Sequence, residues 1–226
     1  MKKLFLMIAL CMMALGAQAQ AKYHTACGTI TFRDGHEETY NVVSVPFKST
    51  EKITITPEGG KKTKIPAKDI QSITFWNENF PDIKTTLFCL LTEDKSGKYN
   101  VWGVPIMSSN WGVIFRCPDG YGINPKTGEC IYYVTLNQSF EQLGKPFLQD
   151  WQPLLLQRFD KEIAELVAFI RSYKKGKNKE DVFEYSWPNK SAKNGAKWFE
   201  ENEEVHQQIL DGTLTANDLQ YILDQM

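Results

Sequence analysis

The sequence predicts an α+β protein: two related small antiparallel β modules, barrel- or sandwich-like, followed by an α-helical C-terminal region. Three observations carry this prediction. Between Gly28 and Trp76, short apolar–polar alternations are separated by turns containing Gly and Pro. Tyr40-Asn41-Val42-Val43-Ser44-Val45-Pro46 recurs as Tyr99-Asn100-Val101-Trp102-Gly103-Val104-Pro105. After Gly144 the apolar spacing changes from two residues to three and four. The chain accordingly divides into 1–21, a leader; 22–81, β module one; 82–144, β module two; and 145–226, the helical region.

The leader has a basic start at Lys2 and Lys3, an apolar run from Leu4 to Leu15, and small-x-small cleavage sites at Ala17-Gln18-Ala19 and Ala19-Gln20-Ala21. That is the pattern of a secretory signal peptide, and the run is too short to span a bilayer. The mature chain is expected to start at Gln20 or Lys22, in the periplasm, secreted or at the cell surface. Cys11 leaves with the leader; Leu10 before it is not the small residue that a lipoprotein cysteine requires.

In module one, Gly28 to Arg33 alternates around Ile30 and Phe32, and Asp34-Gly35 is a hairpin turn. Glu38 to Val45 returns and Pro46 ends it. Lys52 to Thr56 and Lys62 to Ile65 form two further strands about a Glu58-Gly59-Gly60 turn. Pro66 to Asp69 reads as one helical turn feeding a strand from Ile70 to Trp76. Module two runs through Ile83 to Leu91, Lys98 to Val104, Gly112 to Arg116 and Ile131 to Leu136, with a loop from Cys117 to Cys130 in place of a short turn. The recurrence, with a period near sixty residues, suggests a duplicated unit.

A long helix is expected from near Asp150, because Trp151, Leu155, Phe159, Ile163, Leu166, Ile170 and Tyr173 form one stripe. Lys174 and Lys175 suit its negative end and Gly176 stops it. Val182 to Trp187 reads as one more strand. A second helix begins at Asn194 or Gly195, with Trp198, Asn202, Val205 and Ile209 on one face. Gly212 closes it, and Thr215 with Asp218 caps a last short helix.

Charge and motifs exclude more than they assign. The formal net charge of −1 becomes about −3 once the leader's lysines go. Such a chain lacks the basic face that nucleic acid requires. No mature segment is a transmembrane span. His24, His36 and His206 make no paired metal spacing, and aligning Gly212 with a calcium-loop glycine puts Ile209 at a ligand position. No metal or other cofactor is expected. There is no Gly-x-Ser-x-Gly elbow. Cys27, Cys89, Cys117 and Cys130 form an even set suited to disulfides after export. Cys117–Cys130 would staple the module-two loop for on the order of 3 kcal/mol, which leaves Cys27 with Cys89.

Aromatic residues crowd into module two: Trp102, Trp111, Phe115, Tyr121, Tyr132 and Tyr133. Trp102, Trp111 and Tyr121 are the candidate binding face, for a glycan or a peptide. The opposing reading places both tryptophans in the core, since Trp102 shares its strand face with Val104. The chain thus reads as a non-enzymatic binding or interaction protein of the cell envelope, its partner an envelope protein or a glycan. The alternatives are a carbohydrate-binding module and a hydrolase whose carboxylates sequence does not reveal.

The run Gly28-Thr29-Ile30-Thr31-Phe32-Arg33-Asp34-Gly35, continuing to Lys64-Ile65-Pro66-Ala67-Lys68-Asp69-Ile70 and joined to the Ala-Gln-Ala-Gln leader end, resembles exported Bacteroidota proteins of unknown function. The resemblance covers the leader and the first module. It implies an envelope address and no activity, cofactor or catalytic residue.

Overall fold

The computed structural model describes residues 25–47, 49–133, 151–175 and 180–226. The leader, the end of the strand expected to reach Leu136, and the start of the expected long helix lie outside them.

Alternation builds the first half as the sequence predicts. β1 (Thr25–Phe32) turns through Gly35, at φ 90°, into β2 (Glu37–Ser44). β3 (Lys52–Thr56) and β4 (Thr63–Pro66) form the next hairpin; Ile53 and Ile55 point inward while Lys52 is exposed. A 3-10 turn at Ala67–Asp69 sends β5 (Ile70–Asn77) back beside β1. β6 (Phe80–Asp94), β7 (Gly97–Ser108) and β8 (Gly112–Arg116) continue as an antiparallel meander. The expected boundary at residue 82 falls inside β6, and the sheet runs through it without a break.

β9 (Gly120–Ile123), within the stretch expected as a loop, pairs with β10 (Cys130–Tyr133), which opens the strand expected from Ile131, and the two form a separate hairpin. Tyr121 and Ile123 of β9 pack into the core of the first half, and Phe47 bridges to Gly120.

The largest departure lies where a long helix was expected. Gln152–Arg158 is β11 and Glu165–Lys175 is β12, an antiparallel hairpin. The apolar stripe is a coincidence of spacing. Leu154, Leu155 and Leu156 are 0, 6 and 1 % exposed, so both faces of the strand are covered, whereas Phe159 from the same stripe is 64 % exposed at the turn. A continuous apolar run in a doubly covered strand carries no period of two, and so mimics a helix. β13 (Glu180–Ser186) follows as predicted.

Among the described residues, eleven strands make one open sheet in the order β13-β12-β11-β8-β7-β6-β5-β1-β2-β3-β4. Successive strand residues point to opposite faces, and this sorts the cores. One face carries Ile30, Val43, Ile73, Leu87 and Trp102 under the β9 hairpin. Further along it, Ile114, Leu154, Leu156 and Ala168 lie under the C-terminal helices. Leu90, Val101, Phe115, Leu155 and Ala164 form a smaller core on the opposite face.

The α-helices among the described residues are α1 (Ala192–Ala196), α2 (Glu203–Leu210) and α3 (Leu219–Asp224). The expected single helix from Asn194 is thus broken before Asn202, which accepts from the Val205 amide and caps α2. Gly212 at φ 83° closes α2, and Thr215 and Asp218 form the predicted capping box. Phe199, Ile209 and Ile222 seal the helices onto the sheet. The sheet edges are blunted: β4 carries exposed Lys64 and ends at Pro66, and the Tyr185 amide on β13 donates to Asn217 Oδ1 at 3.2 Å.

Candidate functional site

The sequence-derived binding face does not form. Trp102 and Tyr121 are both 0 % exposed. Trp102 Nε1 donates to the Thr50 carbonyl at 3.0 Å, and the Tyr121 hydroxyl donates to the Trp102 carbonyl at 2.7 Å. Trp102 occupies the repeat position of Val43, which is buried in the same core. The two strands point these residues inward, so a larger ring there fills volume instead of offering a platform. Trp111 sits apart, beside the helical core, with Phe199 at 5.8 Å and its Nε1 donating to Glu201 at 3.3 Å.

The cysteines are also placed by strand phase. Cys27 is level with Trp76 of β5, which is level with Lys84 of β6. Cys89 is five residues further along β6 and buried, while the flanking residues of Cys27, Ala26 and Gly28, take the core side. Two strand spacings of about 4.8 Å and five rises of about 3.3 Å separate them. A disulfide requires Cα atoms within about 7 Å, so this arrangement does not bridge Cys27 and Cys89. A Cβ on Gly103 would meet Cys117 Sγ at 2.9 Å, on the face opposite Trp102, whereas Cys130 packs against the core containing Trp102.

The structure brings together a different set. A cleft of about 1310 Å³ opens along β7, β11 and β12 beside the segment leading through α1. Its aromatic lining comes from four places in the chain: Tyr99 on β7, Trp151 before β11, Phe169 on β12 and Trp198 after α1. Gln152, Asn189 and Asn194 add amides. Strand pairing fixes two of these positions: Phe169 lies opposite Pro153, and Tyr99 lies opposite Thr92 near the β6–β7 turn.

Several of the charges around the cleft, which also include Glu93, Lys95 and Asp119, are engaged locally. Lys161 meets Glu165 at 3.8 Å, and Glu162 meets Lys98 at 3.9 Å. Asp94 accepts from the Ser96 hydroxyl and amide, which holds its carboxyl below the ordinary range. Lys197 Nζ lies 4.0 Å from the centroid of the Trp198 ring. Burial, then Asp94, pushes the Tyr99 hydroxyl up, so it is a neutral donor.

Two features mark the α1 side of the cleft. Asn189 and Lys190 are consecutive left-handed residues at φ 55° and 54°. Such residues each cost on the order of 1 kcal/mol or more and collect at ligand clamps. The Trp198 indole N–H is buried with no hydrogen-bond partner among the described residues. An unsatisfied buried donor costs about 1–3 kcal/mol.

His36 stacks on Phe32 at 4.0 Å, and His206 Nδ1 is 3.0 Å from the Ala196 carbonyl, while His24 lies outside the described residues. Among the described residues, no group of three or more His, Cys, Asp or Glu is placed to hold a metal, and no helix is long and apolar enough to cross a membrane.

Sequence reasoning missed this site because its parts are about a hundred residues apart. Trp151 and Trp198 were visible, but each was absorbed into an amphipathic helix stripe. Comparison of the chain with protein-family models, with curated proteins and with solved structures returns no match.

Proposed function

We propose that this chain is an exported, non-enzymatic binding protein of the cell envelope, and that the cleft beside Tyr99, Phe169 and Trp198 is its ligand site. The single observation that carries this reading is the cleft itself: a large concavity walled by aromatics and amides from separate elements. Binding sites favour concave, mainly apolar surfaces with a few polar groups for orientation. The adjacent left-handed pair and the unsatisfied indole support it, since strain and unpaired donors persist where function retains them. Export rests on the leader. The Tyr40–Val45 and Tyr99–Val104 recurrence falls on the second strands of two hairpins, which supports descent from one duplicated unit.

A thermal-shift screen of the exported protein, with glycans, peptides and divalent metals, tests the reading. We expect a saturable shift from one ligand class, lost in a Tyr99→Ala variant of unchanged melting temperature. A shift that survives this substitution places the ligand elsewhere and defeats the site. N-terminal sequencing of secreted material tests export: a start at Gln20 or Lys22 is expected, and an intact Met1 refutes it.

A further inference from the structure

We infer that the cleft takes an uncharged oligosaccharide, lying along the groove from Tyr99 to Trp198; this rests on reading the cleft as a ligand site. The argument starts from its charges. Lys161 and Glu165 engage each other, Glu162 engages Lys98, Asp94 is held by Ser96, and Lys197 lies over the Trp198 ring. A charged ligand would have to compete with these contacts, and the other charged residues of the lining, Glu93, Lys95 and Asp119, are of mixed sign and make no one-sign surface to attract it. A neutral ligand leaves them intact.

The remaining lining has the chemistry of a sugar. Pyranose rings present C–H faces that cover aromatic rings, with hydroxyls at their edges. Tyr99, Trp151, Phe169 and Trp198 offer rings, and Asn189 and Asn194 bring amides, which donate and accept as hydroxyls do; the Asn194 amide already donates to the Pro188 carbonyl, and the buried Gln152 accepts from Arg116. The cleft exceeds the usual range of about 300–1,000 Å³ for small-molecule sites, so it suits several linked rings better than one. The Trp198 indole N–H supplies a specific anchor: a modest rotation of the ring toward a bound hydroxyl gives this donor the acceptor it lacks among the described residues. A peptide is disfavoured because its backbone seeks a strand edge, and β7, β11 and β12 are each paired on both sides.

The test is calorimetric titration of the full exported protein with neutral hexasaccharides of glucose, xylose, mannose and N-acetylglucosamine. Sulfated oligosaccharides, polyglutamate and a neutral dodecapeptide serve as the other arms. At least one neutral series should bind saturably. Affinity should fall tenfold or more in Tyr99→Ala, and three- to tenfold in Trp198→Phe, which keeps a ring and removes the N–H. Unchanged far-UV circular dichroism and melting temperature would show that both variants fold. Binding confined to a charged or peptide probe, with the same sensitivity to these variants, overturns the sugar assignment and leaves the cleft as a ligand site. No probe bound in a way these variants weaken overturns both. New reducing ends after incubation would retain the ligand class and overturn the non-enzymatic reading.

Discussion

The guanidinium of Arg158 lies 4.6 Å from the centroid of the Trp111 ring, and Glu201 holds both side chains: Oε1 is 2.5 Å from Arg158 Nη2, and Oε2 is 3.3 Å from Trp111 Nε1. Asp160 takes the other side of the guanidinium through Nε and Nη2, at 2.8 and 2.6 Å. Arg158 ends β11, Trp111 precedes β8, and Glu201 belongs to the helical segment. One planar cation therefore ties the sheet to the helices, with its own side chain only 9 % exposed.

Arg158→Lys is expected to destabilise the protein by about 1–3 kcal/mol, because an ammonium cannot keep a two-pronged bond to Asp160 while lying flat on Trp111. Urea unfolding followed by far-UV circular dichroism measures it. Stability equal to wild type would show that the contact between sheet and helices is carried by apolar packing alone.

The same cluster gives an acid limit. Hydrogen bonding from Arg158 holds the Asp160 carboxyl below its ordinary value. A depressed carboxylate stabilises the fold above the unfolded-state value, near 4, and its contribution is lost as pH falls through the folded value. Melting temperature should drop below about pH 4, with a shallower slope in Asp160→Asn.

An alkaline limit follows from Cys89 and Tyr40. Burial pushes the Cys89 thiol up to about 11, and burial followed by Glu38 pushes the Tyr40 hydroxyl up to about 12. A raised value means stability that is complete below the unfolded value and lost as pH rises toward the folded one. Cys89 alone should cost on the order of 2 kcal/mol between pH 9 and 11. Stability curves of Cys89→Ala should be flatter across that interval, and unchanged slopes would contradict the buried thiol.

Trp102→Ala should cost about 3–5 kcal/mol, lowering the melting temperature by roughly 2–4 °C per kcal/mol. Tyr99→Ala, on the same strand but 40 % exposed, should cost little. Equal effects would mean that β7 is not phased as described.

Gly195→Ala should cost about 1–3 kcal/mol, because its Cβ would stand 2.3 Å from Trp187 Cδ2. Circular dichroism of the tryptophan bands reports whether the Trp187 ring has moved. Lys193→Ala, at an exposed position of α1, is the matched control and should leave both bands and stability unchanged.

Local chemistry was enough to read the first half. The Asp34-Gly35 turn, the alternation around Ile53 and Ile55, and the Pro66-to-Asp69 turn depend on nearest neighbours, so residues 25–77 form the elements their sequence predicts. The capping box at Thr215 was legible for the same reason. Where a strand is covered on both faces, the alternation disappears. Leu154 to Leu156 then offer no period of two, and the hairpin of β11 and β12 passes for a helix.

What the sequence alone determined was therefore the turns, the caps and the half-buried strands, each set by contacts within a few residues. Tertiary structure decided which aromatic residues meet solvent and which meet one another. Burial of Trp102 depends on the β9 hairpin lying over it, and the cleft depends on Tyr99, Phe169 and Trp198 arriving from three distant segments. Long-range packing sets both, because the free energy of burying a ring depends on everything that surrounds it and not on the residues beside it in the chain.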